Sequence, residues 1–180
     1  TMGFRGEALA SIARISRSHI RSCTTESDSG WEVSASGETT GTPSPCPASC
    51  GTTVTVEELF FNTPARRKFL KSSNTEFAHM MEQMTRLAIP NPRVAFSLRH
   101  NDREKLNLPQ VDSTVERIAG IFTHELADSL EPISERGKDS LRVSGLLGPV
   151  SGARASAKWQ YVFLNGRYIR DRLIFHAIRE

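Results

Sequence analysis

The chain has 180 residues, is 38% hydrophobic and 24% charged, and carries a formal net charge of +3. That length and apolar content suffice for one sizeable core or two modest ones, and the sequence holds no run of 18 apolar residues, which excludes a membrane-spanning helix of the usual kind. The mild positive balance does not by itself establish nucleic-acid binding, so the distribution of the cations has to carry that argument.

Gly3 and Gly6 stand immediately before Glu7-Ala8-Leu9-Ala10-Ser11-Ile12-Ala13, whose apolar positions recur at helical spacing. A loop is therefore expected to turn into a helix running from about Gly6 to Ile15. Glycines at such a junction let the backbone approach an anion closely, and the unpaired N–H groups of the first helical turn supply donors. The same pattern also describes a plain glycine-rich turn with Glu7 well placed in the first turn of an ordinary helix. Strands are expected at His19 to Cys23 and Trp31 to Ala35, joined by a turn through Glu26-Ser27-Asp28-Ser29-Gly30. Gly37 to Cys50 is dense in Thr, Ser, Pro and Gly and reads as an exposed loop. Alternating β-branched residues make Thr53 to Glu57 a third strand. A short loop follows, then a helix capped by Thr63 with Pro64 at its first position.

Ser73 and Glu76 form a capping box ahead of a helix whose apolar stripe is Phe77, Met80, Met81, Met84, Leu87 and Ala88, stopped by Pro90 and Pro92. The methionines read as core packing rather than a cofactor or partner groove. Arg86 lies about half a turn from Phe77 and is expected to face away from the packed side. Arg93 to Arg99 and Glu104 to Leu108 read as a hairpin, and Leu108-Pro109-Gln110-Val111 as a domain junction. Beyond it are expected a helix (Ser113 to Ile121), a strand (Asp139 to Leu147), a break at Gly148-Pro149, a strand (Tyr161 to Leu164) and a last helix without a C-cap.

Cys46-Pro47-Ala48-Ser49-Cys50 has a spacing that suits two metal ligands, but Cys23 is the only other thiol and no His lies close in sequence. Reduced, loop-borne thiols are the expectation. His79, His100, His124 and His176 are scattered singly and read as surface or helix-face residues, with His19 on a strand. Glu57 and Glu58 are adjacent, so they point to opposite sides of a strand and make no paired-carboxylate site. No residue qualifies as a general base. Arg66, Arg67, Lys68 and Lys71 gather in one short helix, and Arg167, Arg170 and Arg172 crowd a segment near the end. Such clusters either form a solvated face or neutralise nucleic-acid phosphates without sequence preference.

Three segments resemble the MutL family of DNA mismatch-repair ATPases, which belongs with gyrase B and the sensor histidine kinases to the GHKL superfamily. They are Gly3-Phe4-Arg5-Gly6-Glu7-Ala8-Leu9, the run from Gly51 to Leu70 with Asn62-Thr63-Pro64-Ala65-Arg66-Arg67-Lys68-Phe69-Leu70, and Tyr161 to Leu173 with Asn165-Gly166-Arg167. The resemblance implies an α+β fold: residues 1–110 as the later part of a GHKL-type ATPase α/β sandwich, and residues 111–180 as the first part of a ribosomal protein S5 domain 2-like domain. It implies nucleotide binding by Gly3, Phe4, Arg5, Gly6, Glu7, Ala8 and Leu9, a phosphate-gripping lid, and by Thr52 near the adenine pocket. Glu7 would then have to turn away from phosphate, capping the loop or pairing with Arg5. It also implies a DNA-binding groove between the two domains, lined by Lys68, Arg86 and Arg167.

The family's general-base Glu, its magnesium-binding Asn, its adenine-reading Asp-x-Gly loop and its phosphate-touching Lys match nothing in this sequence. The expectation is therefore an internal piece that does not hydrolyse ATP by itself, with ATP and Mg2+ as cofactors of the intact protein. Implied partners are DNA, a MutS-type mismatch recognition protein and a second subunit in a homodimer or heterodimer, with no membrane. The implied location is the cytoplasm or nucleoid of a bacterium or the nucleus of a eukaryote. Two other readings stand beside this one: a non-enzymatic nucleic-acid-binding module whose glycine loop is structural, and a gyrase B-like ATPase, which the Asn62 to Lys68 run disfavours.

Overall fold

The computed structural model describes residues 6–136, 142–149 and 159–178. The chain divides into two compact units, Thr1–Ser72 and Ser73–Glu180.

The first unit opens with helix α1 (Ala8–Ala13) and continues through β1 (Arg17–Cys23), β2 (Gly30–Ser36), β3 (Thr39–Thr40), β4 (Ser44–Cys46) and β5 (Gly51–Glu57) to a single-turn helix, α2 (Pro64–Arg67). The strands form one sheet in the order β3-β2-β1-β5, with β4 also paired to β2. All pairings are antiparallel. In that register Ile20 stands opposite Val33 and Val54, and Ser22 opposite Trp31 and Thr52, so these side chains share one face. The other face is polar: Arg17, His19 and Arg21 line up with Glu32 and Thr55, and Glu32 pairs with His19 at 3.2 Å and Arg21 at 3.6 Å. The alternation of the three long strands accounts for this two-faced sheet.

The Gly37 to Cys50 stretch corrects the expectation of an exposed loop. Two short strands inside it, β3 and β4, pair with β2, and Pro45 is tolerated because β4 lies on an edge, where a missing N–H breaks no ladder. Cys46 is consequently buried opposite Gly30, Cys23 is buried too, and only Cys50 is exposed. Burial, followed by the nearby Glu32 carboxylate, pushes the Cys46 thiol up from its ordinary pKa.

The second unit contains α3 (Ser73–Ala88), a hairpin of β6 (Phe96–His100) and β7 (Arg103–Leu108), helices α4 (Thr114–Ile121) and α5 (His124–Asp128), and a pair β8 (Glu131–Arg136) and β9 (Arg142–Leu147). It continues with a hairpin of β10 (Val162–Leu164) and β11 (Arg167–Ile169) and with helix α6 (Arg172–Ala177). Both tight hairpins turn on two residues with positive φ, Asn101-Asp102 and Asn165-Gly166, the geometry whose twist matches paired strands. Ala88, Ile89, Leu108, Ala119 and Ala127 are buried. The stretch 108–111 lies inside this unit: Leu108 is buried, and the Val111 N–H donates to Pro92 at 3.0 Å.

Three expectations are corrected here. Helix α3 packs along Phe77, Met81, Thr85 and Ala88, while Met80 and Leu87 are exposed. A stripe drawn through apolar residues alone skips Thr85, and that omission rotates the apparent face. Arg86 does not face away, since only 17% of its side chain remains exposed. Helix α5 and strand β8 were not foreseen: α5 has only five residues, too few for a periodicity, and Pro132 demotes β8 in any strand reading.

Candidate functional site

Gly3, Phe4 and Arg5 lie outside the described residues. The rest of their segment begins at Gly6, which takes φ of +68°, and apart from its chain neighbours no described residue comes within 4 Å of the place where a Cβ would sit. Glycine reaches this left-handed conformation freely, and the space beside it is open. Glu7 follows as the N-cap of α1 and makes no side-chain bond to the N–H groups of the helix; the loop that it was expected to cap and Arg5, its expected partner, lie outside the described residues. Glu7, Ala8 and Leu9 are all exposed. Thr52 stands at the start of β5, its hydroxyl within 2.8 Å of the Ser22 hydroxyl across the strand pair. No hydrogen bond joins it to Gly6–Leu9. Glu57 and Glu58 do not occupy opposite sides of a strand as expected: β5 ends at Glu57, which stands opposite Arg17, while Glu58 lies beyond the strand and pairs with Arg17 at 2.8 Å.

The basic residues fall into two kinds of environment. In the first unit Arg66 and Arg67 fill the last turn of α2, and Lys68 is its C-cap; all three are exposed, beside Phe69 at 79% exposure. Thr63 occupies the N-cap position with Pro64 next, as the sequence indicates, but its hydroxyl makes no cap bond and is buried without a partner. In the second unit Arg86 is drawn inward. Its guanidinium lies over the Tyr168 ring at 4.2 Å and pairs with Glu82 one turn earlier on α3. Burial, with Glu82 adding to it, raises the Tyr161 pKa beside this cluster. Arg167 opens β11 opposite Leu164 and is half-buried.

A further cation, Arg117 on α4, was missed from sequence. It is 1% exposed, donates to the Pro92 and Val94 carbonyls at 2.7 Å each, and lies 5.7 Å from the Phe96 ring centre. Burial lowers its pKa, the sign expected when a cation leaves water. The only signal was its place in the apolar helix Thr114–Ile121. Among the described residues no group of three His, Cys, Asp or Glu gathers to hold a metal ion, and no helix is long and apolar enough to cross a membrane.

Residues 118–180 match the family model described as DNA mismatch repair protein, C-terminal domain. Across the whole chain, the DNA mismatch repair protein MutL of Thiobacillus denitrificans is 44% identical and that of Syntrophotalea carbinolica 39%. The chain spans only 30% and 29% of the lengths of these two curated relatives. Among solved structures, the Aquifex aeolicus MutL ATPase domain complexed with ADP is similar with a TM-score of 0.79 and 30% identity, over 97% of this chain and 67% of that one.

Proposed function

The chain belongs to the MutL family of DNA mismatch repair proteins, with the α+β fold of the family's GHKL-type ATPase region continuing into an S5-like domain, and from that premise we propose that it supplies part of a nucleotide-binding and DNA-binding machine. One observation carries the nucleotide half of the proposal: 97% of this chain matches an ATPase domain solved with ADP. Gly3, Phe4, Arg5, Gly6, Glu7, Ala8 and Leu9 grip the phosphates, and Thr52 lies near the base. The described part of the segment fits a phosphate, because Gly6 leaves room for one and Glu7 is free to point elsewhere. ATP, when bound, supplies the energy of phosphoryl transfer. Mg2+ belongs to the same proposal as a cofactor of the intact protein. The domain reading, 1–110 and 111–180, is part of the same proposal; the family match beginning at residue 118 supports it.

Lys68, Arg86 and Arg167 enter the DNA half with unequal weight. Lys68 stands in water beside Arg66 and Arg67, where cations are available to phosphates. Arg86 has spent its charge on Glu82 and Tyr168, so its contribution is chiefly to hold the β10–β11 hairpin that carries Arg167. Backbone contacts of this kind give little sequence preference, as suits a protein that couples mismatch recognition by a MutS-type partner to strand removal anywhere in a genome. The intact protein then acts as a homodimer or heterodimer where the DNA is, in the cytoplasm or nucleoid of a bacterium or the nucleus of a eukaryote.

Calorimetric titration of ADP into the full-length protein tests the nucleotide half. Gly6→Val, which adds a β-branched side chain where φ is positive, should weaken ADP binding about tenfold or more with the fold retained. Unchanged affinity would return the glycine loop to a structural role and favour the plain DNA-binding module.

A further inference from the structure

Helix α1 has six residues, of which only Ile12 and Ala13 are half-buried and none is fully buried, so length and packing fix its position weakly. The carbonyls of its C-cap, Arg14, and of the two residues that follow are instead taken up by groups from distant parts of the first unit. The Asn62 side-chain amide donates to the Arg14 carbonyl at 2.8 Å, the Phe60 N–H to Ile15 at 2.6 Å and the Gly37 N–H to Ser16 at 3.3 Å, so three successive carbonyls are claimed from outside the helix. Ser16, fully buried, turns its own hydroxyl back to the Ile12 carbonyl at 2.7 Å.

The loop after β5 is bent to make this possible. Glu58 takes φ of +49° and Phe60 φ of +65°, and an aromatic residue in the left-handed region persists only where its surroundings over-determine it. Those surroundings include the Arg17–Glu58 ion pair and the Arg17 guanidinium 4.9 Å from the Phe61 ring. A Cβ on Gly37 would sit 3.1 Å from the Asn62 amide nitrogen, which shows how closely the parts meet.

We infer that residues 58–62 form a clamp on the C-terminal end of α1, and that Asn62 is a positioning residue for the nucleotide-binding residues Gly6–Leu9 at the other end. The inference rests on the nucleotide reading of that segment. Because α1 is otherwise unanchored by buried side chains, its loop end is only as well placed as its clamped end. Asn62 acts through the Arg14 carbonyl, to which its amide donates.

ADP titrations of the full-length protein at a temperature well below its melting transition test this. Asn62→Asp keeps the size of the side chain but replaces the donor with an acceptor facing a carbonyl. It should weaken ADP binding about fivefold while the protein remains folded. If the aspartate variant loses cooperative melting, Asn62→Ala, which removes the donor without adding a charge, carries the same comparison. An ADP affinity unchanged by these substitutions, when Gly6→Val has lost it, overturns the clamp and leaves Asn62 a purely structural residue. Unchanged affinity in Gly6→Val overturns the nucleotide reading itself, and the clamp falls with it. Weakening by both substitutions supports both.

Discussion

The first unit leaves Arg66, Arg67 and Lys68 in water on a single-turn helix, whereas the second draws Arg86 and Arg117 under cover on longer helices. The difference follows from what each helix has to pack against. Helix α2 buries none of its residues, so its cations keep their hydration and remain available to a phosphate backbone. Helices α3 and α4 bury a face, and a long side chain caught on it must find partners: Glu82 and Tyr168 for Arg86, two backbone carbonyls for Arg117. Identical residue types are thus left exposed in one region and built into the architecture in the other.

The contrast is broken most forcefully at Arg117. Arg117→Ala leaves the Pro92 and Val94 carbonyls without their donor and empties a filled space, which should destabilise the protein by about 3 kcal/mol in urea unfolding. Arg67→Ala, on the exposed helix, should change stability by less than about 0.5 kcal/mol. Comparable losses from the two would erase the distinction between the regions. Arg86→Met keeps much of the aliphatic stem but removes the ion pair and the ring contact. A loss of about 1–2 kcal/mol is expected from the same measurement. Smaller still is Ser113→Ala. The Ser113 hydroxyl accepts the Glu116 N–H at 3.2 Å and donates to the Glu116 carboxylate at 2.7 Å, so removing this cap of α4 should cost about 1 kcal/mol. A neutral outcome would show that α4 is held by Arg117 rather than by its own terminus.

The sheet of the first unit was readable because alternation is a local signal: Ile20, Val33 and Val54 sit one residue in two along their strands and meet in register. The second strand of the hairpin at Asn165-Gly166 was not foreseen, since only Tyr161 to Leu164 was read as a strand, although the turn residues themselves favour positive φ. What escaped depended on distant partners. Strands β3 and β4 exist only because β2 offers an edge, and nothing in a Thr- and Pro-rich stretch announces it. Arg86 was assigned to solvent because its partner Tyr168 lies far along the chain, and Thr85 hid the true face of α3 behind a polar side chain. At the site, the motif segments could be recognised by resemblance. The clamp on α1 could not, because Asn62 and Arg14 are 48 residues apart.

Salt dependence of DNA affinity bears most directly on the central claim that exposed cations bind DNA while buried ones hold the fold. Binding of the full-length protein to unrelated duplexes, measured over a series of salt concentrations alongside the melting temperature, separates the two roles for Lys68 and Arg86. Lys68→Ala should reduce the slope of log affinity against log salt by about one unit, equally for each duplex, with the melting temperature unchanged. Arg86→Met should lower the melting temperature and leave the slope nearly intact. A slope lost with Arg86→Met at unchanged melting temperature, or kept with Lys68→Ala, would contradict the account.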